Sequence, residues 1–245
     1  RMTCNYGEAE AGLADYFFSK NYFADALELF LRQAKEKSDD SQLYEKIAFC
    51  YQQEEKFDEA LKFYQRAELI ERKVWTLKKI GLCLRRLGRE EEALDYYLQA
   101  GTLDPDDLHT TIMTGHCYLD LRDYEAALRH YFRVEYKDPG NIKILRPIAF
   151  CYLALGRFEE STKYFDRLST GKLTAHDFIN KGHLALAQDR KKEAVDFYRM
   201  CIESGQMSKE EFMKTMEEDK SLLLSLGVNP EDLPILLDYL LFSIG

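Results

Sequence analysis

The residues best suited to chemistry in this sequence are its cysteines and histidines. Thiolates and imidazoles are common zinc ligands, and imidazoles also serve as general bases. Four of the six cysteines stand 33, 34 and 34 residues apart, and two pairs of histidines are each spaced by seven. The cysteines are Cys50, Cys83, Cys117 and Cys151, and the pairs are His109 with His116 and His176 with His183. A metal site needs converging ligands, whereas a regular spacing of this size distributes them along the molecule.

Motifs of known catalytic sites are absent from the sequence. It has no HExxH, no CxxC pair, no glycine-rich phosphate loop and no GxSxG elbow. Histidines seven residues apart share a helix face but lie about 10.5 Å apart along its axis. Polar contact with a groove is therefore favoured over zinc binding. We expect no enzymatic activity, no metal and no cofactor.

The four regularly spaced cysteines are better explained by packing. Equivalent helices of adjacent units lie roughly 10 Å apart, which exceeds the Cα separation of about 7 Å that a disulfide tolerates. The spacing therefore predicts small buried side chains that remain reduced. Cys4 and Cys201 stand near opposite ends of the sequence. Reduced cysteines favour a cytoplasmic location.

The elements that position these residues recur about every 34 residues. Each of six units has a small anchor residue followed four places later by an aromatic residue. The anchors are Ala26, Ala60, Ala93, Ala127, Ser161 and Ala194, and the aromatics are Phe30, Tyr64, Tyr97, Tyr131, Phe165 and Tyr198. A fixed period of this length is typical of a solenoid, in which each unit buries its apolar face against its neighbours.

Each unit is predicted to be a pair of helices. Twelve residues before every anchor stands a second small residue, which allows another helix to approach closely. These residues are Ala14, Ala48, Gly81, Gly115, Ala149 and Gly182. Turn-forming sequences such as LGRE at 87–90 and DPGN at 138–141 separate the helices. Two helices of about 12 to 14 residues account for the period.

The pattern resembles the tetratricopeptide repeat (TPR). The fourth unit shows it well, with Gly115, Tyr118, Tyr124, Ala127, Tyr131 and Pro139. The resemblance implies an all-α fold, a right-handed superhelix of antiparallel helix pairs, whose concave face is lined by first helices and takes peptide segments. The predicted repeats span about 7–37, 41–71, 74–104, 108–138, 142–171 and 175–206, within a repeat domain of residues 1–206.

Groove residues can be assigned by their offset from each anchor, at eighteen, fifteen, eleven and eight positions before it. In repeats three to five these positions are rich in cationic and aromatic side chains. The predicted peptide-binding residues are Trp75, Lys78, Arg85, His109, His116, Lys143, Arg146 and Phe150. Arginine can bind a carboxylate through two hydrogen bonds, and aromatic residues supply apolar anchors. We therefore predict a partner with acidic and apolar side chains, while a solvated helix face remains the alternative.

One TPR subtype clamps the C-terminal carboxylate of chaperones, and this sequence departs from it. Lys78 is accompanied by Leu82 where that subtype has asparagine, and Lys143 is accompanied by Pro147. We do not predict that ligand.

The period stops after residue 206, and residues 207–245 are predicted to form capping helices. Ser208 and Glu211 make a capping box that opens a helix to about Leu226, and Asn229–Pro230 opens a very apolar last helix. At about 22 Å the last helix is too short to cross a membrane. Two alternatives stay open: it folds back onto the repeats or their groove, or it docks on a second copy or another protein.

Charge and composition narrow the partner class. Thirty-four basic and 43 acidic residues give a net charge of −9, which disfavours non-specific nucleic-acid binding. No apolar run is long enough for a membrane span, and no secretory signal is visible. We predict a cytoplasmic, non-catalytic module that binds a protein partner. The alternatives are a secretion-system chaperone that holds an unfolded client, and a fragment of a larger regulatory or secretory-pathway protein with a catalytic domain elsewhere.

Overall fold

A computed structural model describes residues 6–36, 39–168 and 173–244 of the chain. Over these ranges the protein consists of fifteen α-helices, one 3₁₀ turn and connecting loops, with no β-strand. Cys4 lies outside the described residues. The chain divides into two compact units, residues 1–121 and 122–245. We call them unit 1 and unit 2.

Unit 1 contains three helix pairs and the first helix of the fourth repeat. Its helices are α1 (Tyr6–Ser19), α2 (Phe23–Glu36), α3 (Ser41–Gln53), α4 (Phe57–Ile70), α5 (Val74–Arg86), α6 (Glu90–Leu103) and α7 (Leu108–Asp120). Each helix packs against the next one along the chain. The odd-numbered helices are the first helices of their repeats.

Unit 2 begins with the second helix of the fourth repeat, contains two further helix pairs and ends in three additional helices. Its helices are α8 (Tyr124–Lys137), α9 (Leu145–Ala154), α10 (Phe158–Asp166), α11 (Ala175–Ala187), α12 (Lys191–Glu203), α13 (Lys209–Glu218), α14 (Lys220–Ser225) and α15 (Asp232–Ile244). A 3₁₀ turn at Ile142–Ile144 precedes α9, which begins two residues before Pro147. Proline is tolerated there because the first helical N–H groups have no intrahelical acceptor.

The turn within every repeat places one residue in the left-handed region of backbone space. The six residues, each five positions before the anchor, are Asn21, Glu55, Gly88, Arg122, Gly156 and Asp189. Around Gly88 the amide of Arg89 donates to the carbonyl oxygen of Leu84 over 2.9 Å, which closes a Schellman turn. Only two of the six are glycine, so the other four repeats adopt a conformation that L-residues disfavour.

The core positions of the repeats follow the 34-residue pattern. The anchors are fully buried, and their aromatic partners are buried as well. A Cβ atom at Gly81 would lie 2.7 Å from the ring of Tyr97, and one at Gly182 would lie 2.2 Å from the ring of Tyr198. The small residues are therefore required by the rings that pack on them.

The cysteines of the repeats are buried thiols. Cys50, Cys83, Cys117 and Cys151, together with Cys201, are unpaired and inaccessible to solvent. Burial raises the pKa of each of the four repeat cysteines to about 12. These thiols stay protonated at neutral pH. They pack as small buried side chains, as the sequence predicts.

The C-terminal helices differ from the sequence prediction in two places. The predicted helix from Ser208 to Leu226 is interrupted at Asp219, so it forms two helices, α13 and α14. The last helix begins at Asp232 and not at Pro230, because the side chain and carbonyl of Asn229 are used in a turn that accepts the amides of Glu231 and Asp232. The capping box of Ser208 and Glu211 is present as predicted.

Candidate functional site

The first helices of unit 1 present a row of side chains at eighteen, fourteen and eleven positions before each anchor. Steps of four and three residues keep these positions on one side of a helix. The members of this row that line a hollow, which we call the first-helix face, are Gln42, Lys46 and Phe49 on α3, Trp75, Lys79 and Leu82 on α5, and His109 and Met113 on α7. Two hollows open on this face.

The first hollow has a volume of about 410 Å³ and a predominantly aromatic wall. Phe18, Phe49 and Trp75 supply the rings, and Gln42, Glu45 and Lys46 complete its lining. The rings of Phe18 and Phe49 are 5.5 Å apart between centroids, and Phe49 also packs edge-on against Phe23. This cluster holds the wall rigid, which suits it to an inserted apolar side chain.

The second hollow, of about 290 Å³, adjoins the first because both use Trp75. Leu82, Tyr97 and Met113 form its apolar floor, and Lys78, Lys79 and His109 stand around it. The side chain of Trp75 is 43% exposed and packs edge-on against the buried ring of Tyr64. An exposed tryptophan supported by a buried tyrosine is available to a ligand at little conformational cost.

Lys79 is the cation of the first-helix face that has no described carboxylate within ion-pair distance. Its ammonium lies 5.3 Å from the ring centroid of Phe49 and 5.3 Å from that of Trp75. Burial lowers the pKa of this amine, and the charge of Lys78 acts in the same direction. Lys79 is thus a partly desolvated donor placed between the two aromatic walls.

The other predicted cations of unit 1 connect neighbouring repeats. Lys78 Nζ lies 2.6 Å from the carboxylate of Asp107, which caps the start of α7. Arg85 lies 2.6 Å from the carboxylate of Asp120 on α7. Asp107 has a lowered pKa: burial opposes the shift, and the hydrogen bonds from Lys78 and Thr110 outweigh it. Sequence offsets did not reveal these acids, because each belongs to the next repeat.

In unit 2 Arg146 also forms an ion pair with an acid of the following repeat. Its Nε lies 2.8 and 3.0 Å from the two carboxylate oxygens of Asp177, a buried residue in the first turn of α11. Lys143 is exposed on the 3₁₀ turn, and Phe150 packs edge-on against Tyr124. Five of the eight predicted residues therefore lie in unit 1 and three in unit 2.

Two histidines have structural surroundings, His116 and His183. Burial, followed by the charge of Arg85, lowers the pKa of His116 to about 4. His183 does not line a groove: it is fully buried, between the hydroxyl of Tyr198 and the carboxylate of Asp219. Among the described residues no group of three or more His, Cys, Asp or Glu side chains is arranged to hold a metal ion.

Comparison with known proteins agrees with the helix-pair architecture. The family model of the tetratricopeptide repeat matches residues 41–73 and 79–107, which cover the second helix pair and most of the third. The chain is a tetratricopeptide repeat protein. No curated protein sequence matches this TPR protein significantly.

Solved structures share the fold of this TPR protein at low sequence identity. PilF of Pseudomonas aeruginosa is 17% identical with a TM-score of 0.66, over 86% of this chain and 97% of PilF. PilW, a type IV pilus biogenesis factor, is 17% identical with a TM-score of 0.68, over 86% and 99%. YrrB, a TPR protein with an unusual peptide-binding site, is 17% identical with a TM-score of 0.59, over 81% and 91%. The predicted fold class is confirmed.

Sequence reasoning selected Trp75 and His109 of the first-helix face. Gln42, Phe49 and Leu82 stand at offsets that the sequence analysis used, but they were not selected because they are neither cations nor part of the third to fifth repeats' cationic and aromatic set. The position fourteen residues before each anchor, occupied by Lys46, Lys79 and Met113, was not used as a groove position. The position fifteen before the anchor, which holds Lys78 and Arg146, turns toward the start of the next first helix. In the described part of this TPR protein, no helix is long and apolar enough to cross a membrane.

Proposed function

We propose that this TPR protein is a non-catalytic scaffold whose unit 1 binds a peptide segment of another protein on the first-helix face. The observation that carries the proposal is the pair of adjoining apolar hollows that share Trp75. Half-exposed aromatic side chains in preformed hollows are typical anchors of protein interfaces. YrrB, which shares the fold, is described as having a peptide-binding site.

The chemistry of the face favours a ligand with two apolar side chains and an acid between them. One apolar side chain fills each hollow, and a carboxylate meets the ammonium of Lys79 at their junction. Neighbouring helices lie about 10 Å apart. A polyproline-type segment rises about 3.1 Å per residue and returns to the same side every three residues. We therefore expect apolar residues three positions apart in the ligand.

The predicted contact residues enter this proposal unequally. Trp75 and His109 contact the ligand in unit 1, and Lys143 and Phe150 are proposed contacts for the same class of ligand in unit 2. Three predicted cations are already paired with carboxylates of the chain, so each would contact a ligand only after its ion pair breaks. They are Lys78, Arg85 and Arg146. The five cysteines that the structure describes are all unpaired, which favours a reducing compartment such as the cytoplasm.

The proposal can be tested with a random peptide library displayed on phage and panned against the full chain. Enriched peptides are synthesised and titrated while the fluorescence of Trp75, the single tryptophan of the chain, is followed. We expect F49A and L82A each to weaken binding about tenfold or more, and K79M to weaken acidic peptides selectively. The control L69A truncates an 87% exposed leucine on α4 and should leave affinity unchanged.

Two outcomes would overturn the assignment. Enriched peptides that bind F49A and L82A as tightly as the parent would place the site elsewhere. Enrichment of any apolar sequence, without a preferred spacing or an acid, would instead support the alternative of a chaperone that holds unfolded clients.

A further inference from the structure

The last helix of unit 2 carries an apolar stripe that faces solvent. Ile235, Tyr239 and Phe242 on α15 are 65%, 60% and 91% exposed. Their spacing of four and three residues places them on one side of the helix. We call these three residues the outer stripe.

The opposite side of α15 is buried against unit 2. Leu233, Leu237 and Leu240 belong to the same core cluster as Val195 and Tyr198 of α12. Asp232 also pairs with Lys191 of α12 over 2.9 Å. The direction of the outer stripe is therefore set by packing, and it cannot turn inward. A helix that only caps a solenoid has a polar outer side. The outer stripe is apolar, so capping alone does not account for it, and an exposed apolar patch of this kind is typical of an interaction site.

Directly beside the outer stripe lies a hollow of about 430 Å³ between α12 and α15. Val195, Leu236 and Tyr239 form its apolar part, and Lys191, Lys192, Asp196 and Arg199 stand at its edge. Tyr239 belongs to both features. One surface of unit 2 thus presents a protruding apolar stripe and an apolar recess side by side.

Within the described part of the chain, one cation and one acid of this surface have no ion-pair partner. In the hollow, Lys191 pairs with Asp232, and Arg199 pairs with Asp196. Lys192 has no carboxylate within ion-pair distance among the described residues. Asp238, the other acid of α15, is exposed and equally has no described cation near it. The unmatched charges are opposite, and one lies on the recess while the other lies on the protruding helix.

We propose that the occupant of this surface is a second copy of the chain. In a two-fold interface the outer stripe of each copy enters the hollow of the other, and Asp238 of each copy meets Lys192 of the other. Such an interface requires one surface to carry both a protrusion and its complement, as this surface does. The remaining pair of charges sets the register of the two helices.

The test is the mass of the full chain in solution, measured by sedimentation over a range of concentrations. The parent protein should approach twice 28.7 kDa as the concentration rises. The double variant Y239E/F242E should weaken dimerisation by about a hundredfold, because it places charge in the apolar contact. The control L69E adds one such charge at a leucine of unit 1 that is about as exposed as Phe242, and it should leave the dimer intact. Circular dichroism verifies the fold of every variant.

The charge pair supplies a second, independent criterion. K192E and D238K should each weaken dimerisation about fivefold, and the combination K192E/D238K should restore it. A parent protein that stays at 28.7 kDa at every concentration overturns the proposal. It is also overturned if the combined variant is no tighter than the single ones. Co-sedimentation of a monomeric parent with anionic phospholipid vesicles would assign the stripe to a membrane surface instead.

Discussion

His183 Nε2 lies 3.1 Å from the Asp219 carboxylate, which joins the first helix of the last repeat to the break between α13 and α14. Because a carboxylate accepts, Nε2 donates, and Nδ1 accepts from the hydroxyl of Tyr198 at 2.8 Å. The imidazole is fully buried. The contact therefore lies at the break that divides the predicted long helix into α13 and α14.

Replacing Asp219 should therefore destabilise the C-terminal helices. D219A leaves the buried Nε2–H without an acceptor, which costs about 1–3 kcal/mol of unfolding free energy in urea titrations. D219N retains an acceptor oxygen and should lose less. E217A, which changes an exposed neighbour on α13, serves as the control. Equal losses for D219A and E217A would contradict a structural role of the contact.

Gly182 should not tolerate a methyl group. A Cβ there would lie 2.2 Å from the Tyr198 ring, which its hydrogen bond to His183 holds in place. We expect G182A to lower the unfolding free energy by about 1–3 kcal/mol through overpacking. Gly101 on α6 offers a matched control, because its nearest contact is 3.6 Å away. G101A should be neutral or stabilising by up to about 1 kcal/mol, since alanine favours helix. The prediction fails if the two variants shift stability in the same direction.

Glu55 should gain stability when replaced by glycine. It occupies the left-handed turn position of the second repeat with φ of 58°, which costs an L-residue about 1–2 kcal/mol. Part of this gain is offset by the greater freedom of glycine in the unfolded chain. The net expectation for E55G is roughly 0.5–1 kcal/mol of stabilisation in urea unfolding.

The reciprocal change tests the same position in another repeat. Gly156 has φ of 70° in the fifth repeat, so G156A should be destabilising by a similar amount. If E55G lowers the unfolding free energy, the left-handed conformation at this turn does not reduce the stability of the second repeat.

Arg146 should contribute more to stability than an exposed arginine of the same unit. R146A leaves the buried carboxylate of Asp177 with only the amide and hydroxyl donors of Thr174. The expected loss is about 1–3 kcal/mol in thermal or urea unfolding. R157A removes the exposed pair with Glu125 and should cost less than about 1 kcal/mol. A loss for R146A no larger than that of R157A would favour a ligand-binding role over a structural one.

His116 should make the protein less stable as the pH falls. Its folded-state pKa is about 4, against 6.5 for an exposed histidine, because of burial and then the charge of Arg85; Asp120 acts in the opposite direction. As the pH falls below 6.5, His116 binds a proton in the unfolded chain, whereas in the folded chain it binds one only near pH 4. Between these two pKa values His116 lowers the unfolding free energy by up to about 1.4 kcal/mol per pH unit.

The variant H116Q removes that contribution. Its unfolding free energy should decline less steeply than that of the parent as the pH falls from 6.5 toward 4. Urea titrations at several pH values measure both slopes, and identical slopes would rule out this effect of His116.

The sequence by itself determined the repeat and its core. Ala93, Tyr97 and Gly81 could be assigned to a helix pair because local spacing dictates which residues share a helix face. The same spacing predicted the buried state of Cys83. These are contacts within one unit of the period, so a periodic pattern contains the information for them.

Only the tertiary structure decided what the polar residues do. Lys78 and Arg146 appear in sequence as groove cations, yet each meets an acid of the following repeat. Lys79 lies close to the rings of both Phe49 and Trp75. These rings belong to two different helices, so their common position beside Lys79 depends on how the helices pack. The exposure of Phe242 likewise depends on which side of α15 packs on α12. Such contacts join distant parts of the chain, and their distances follow from how helices pack, which spacing along one helix does not specify.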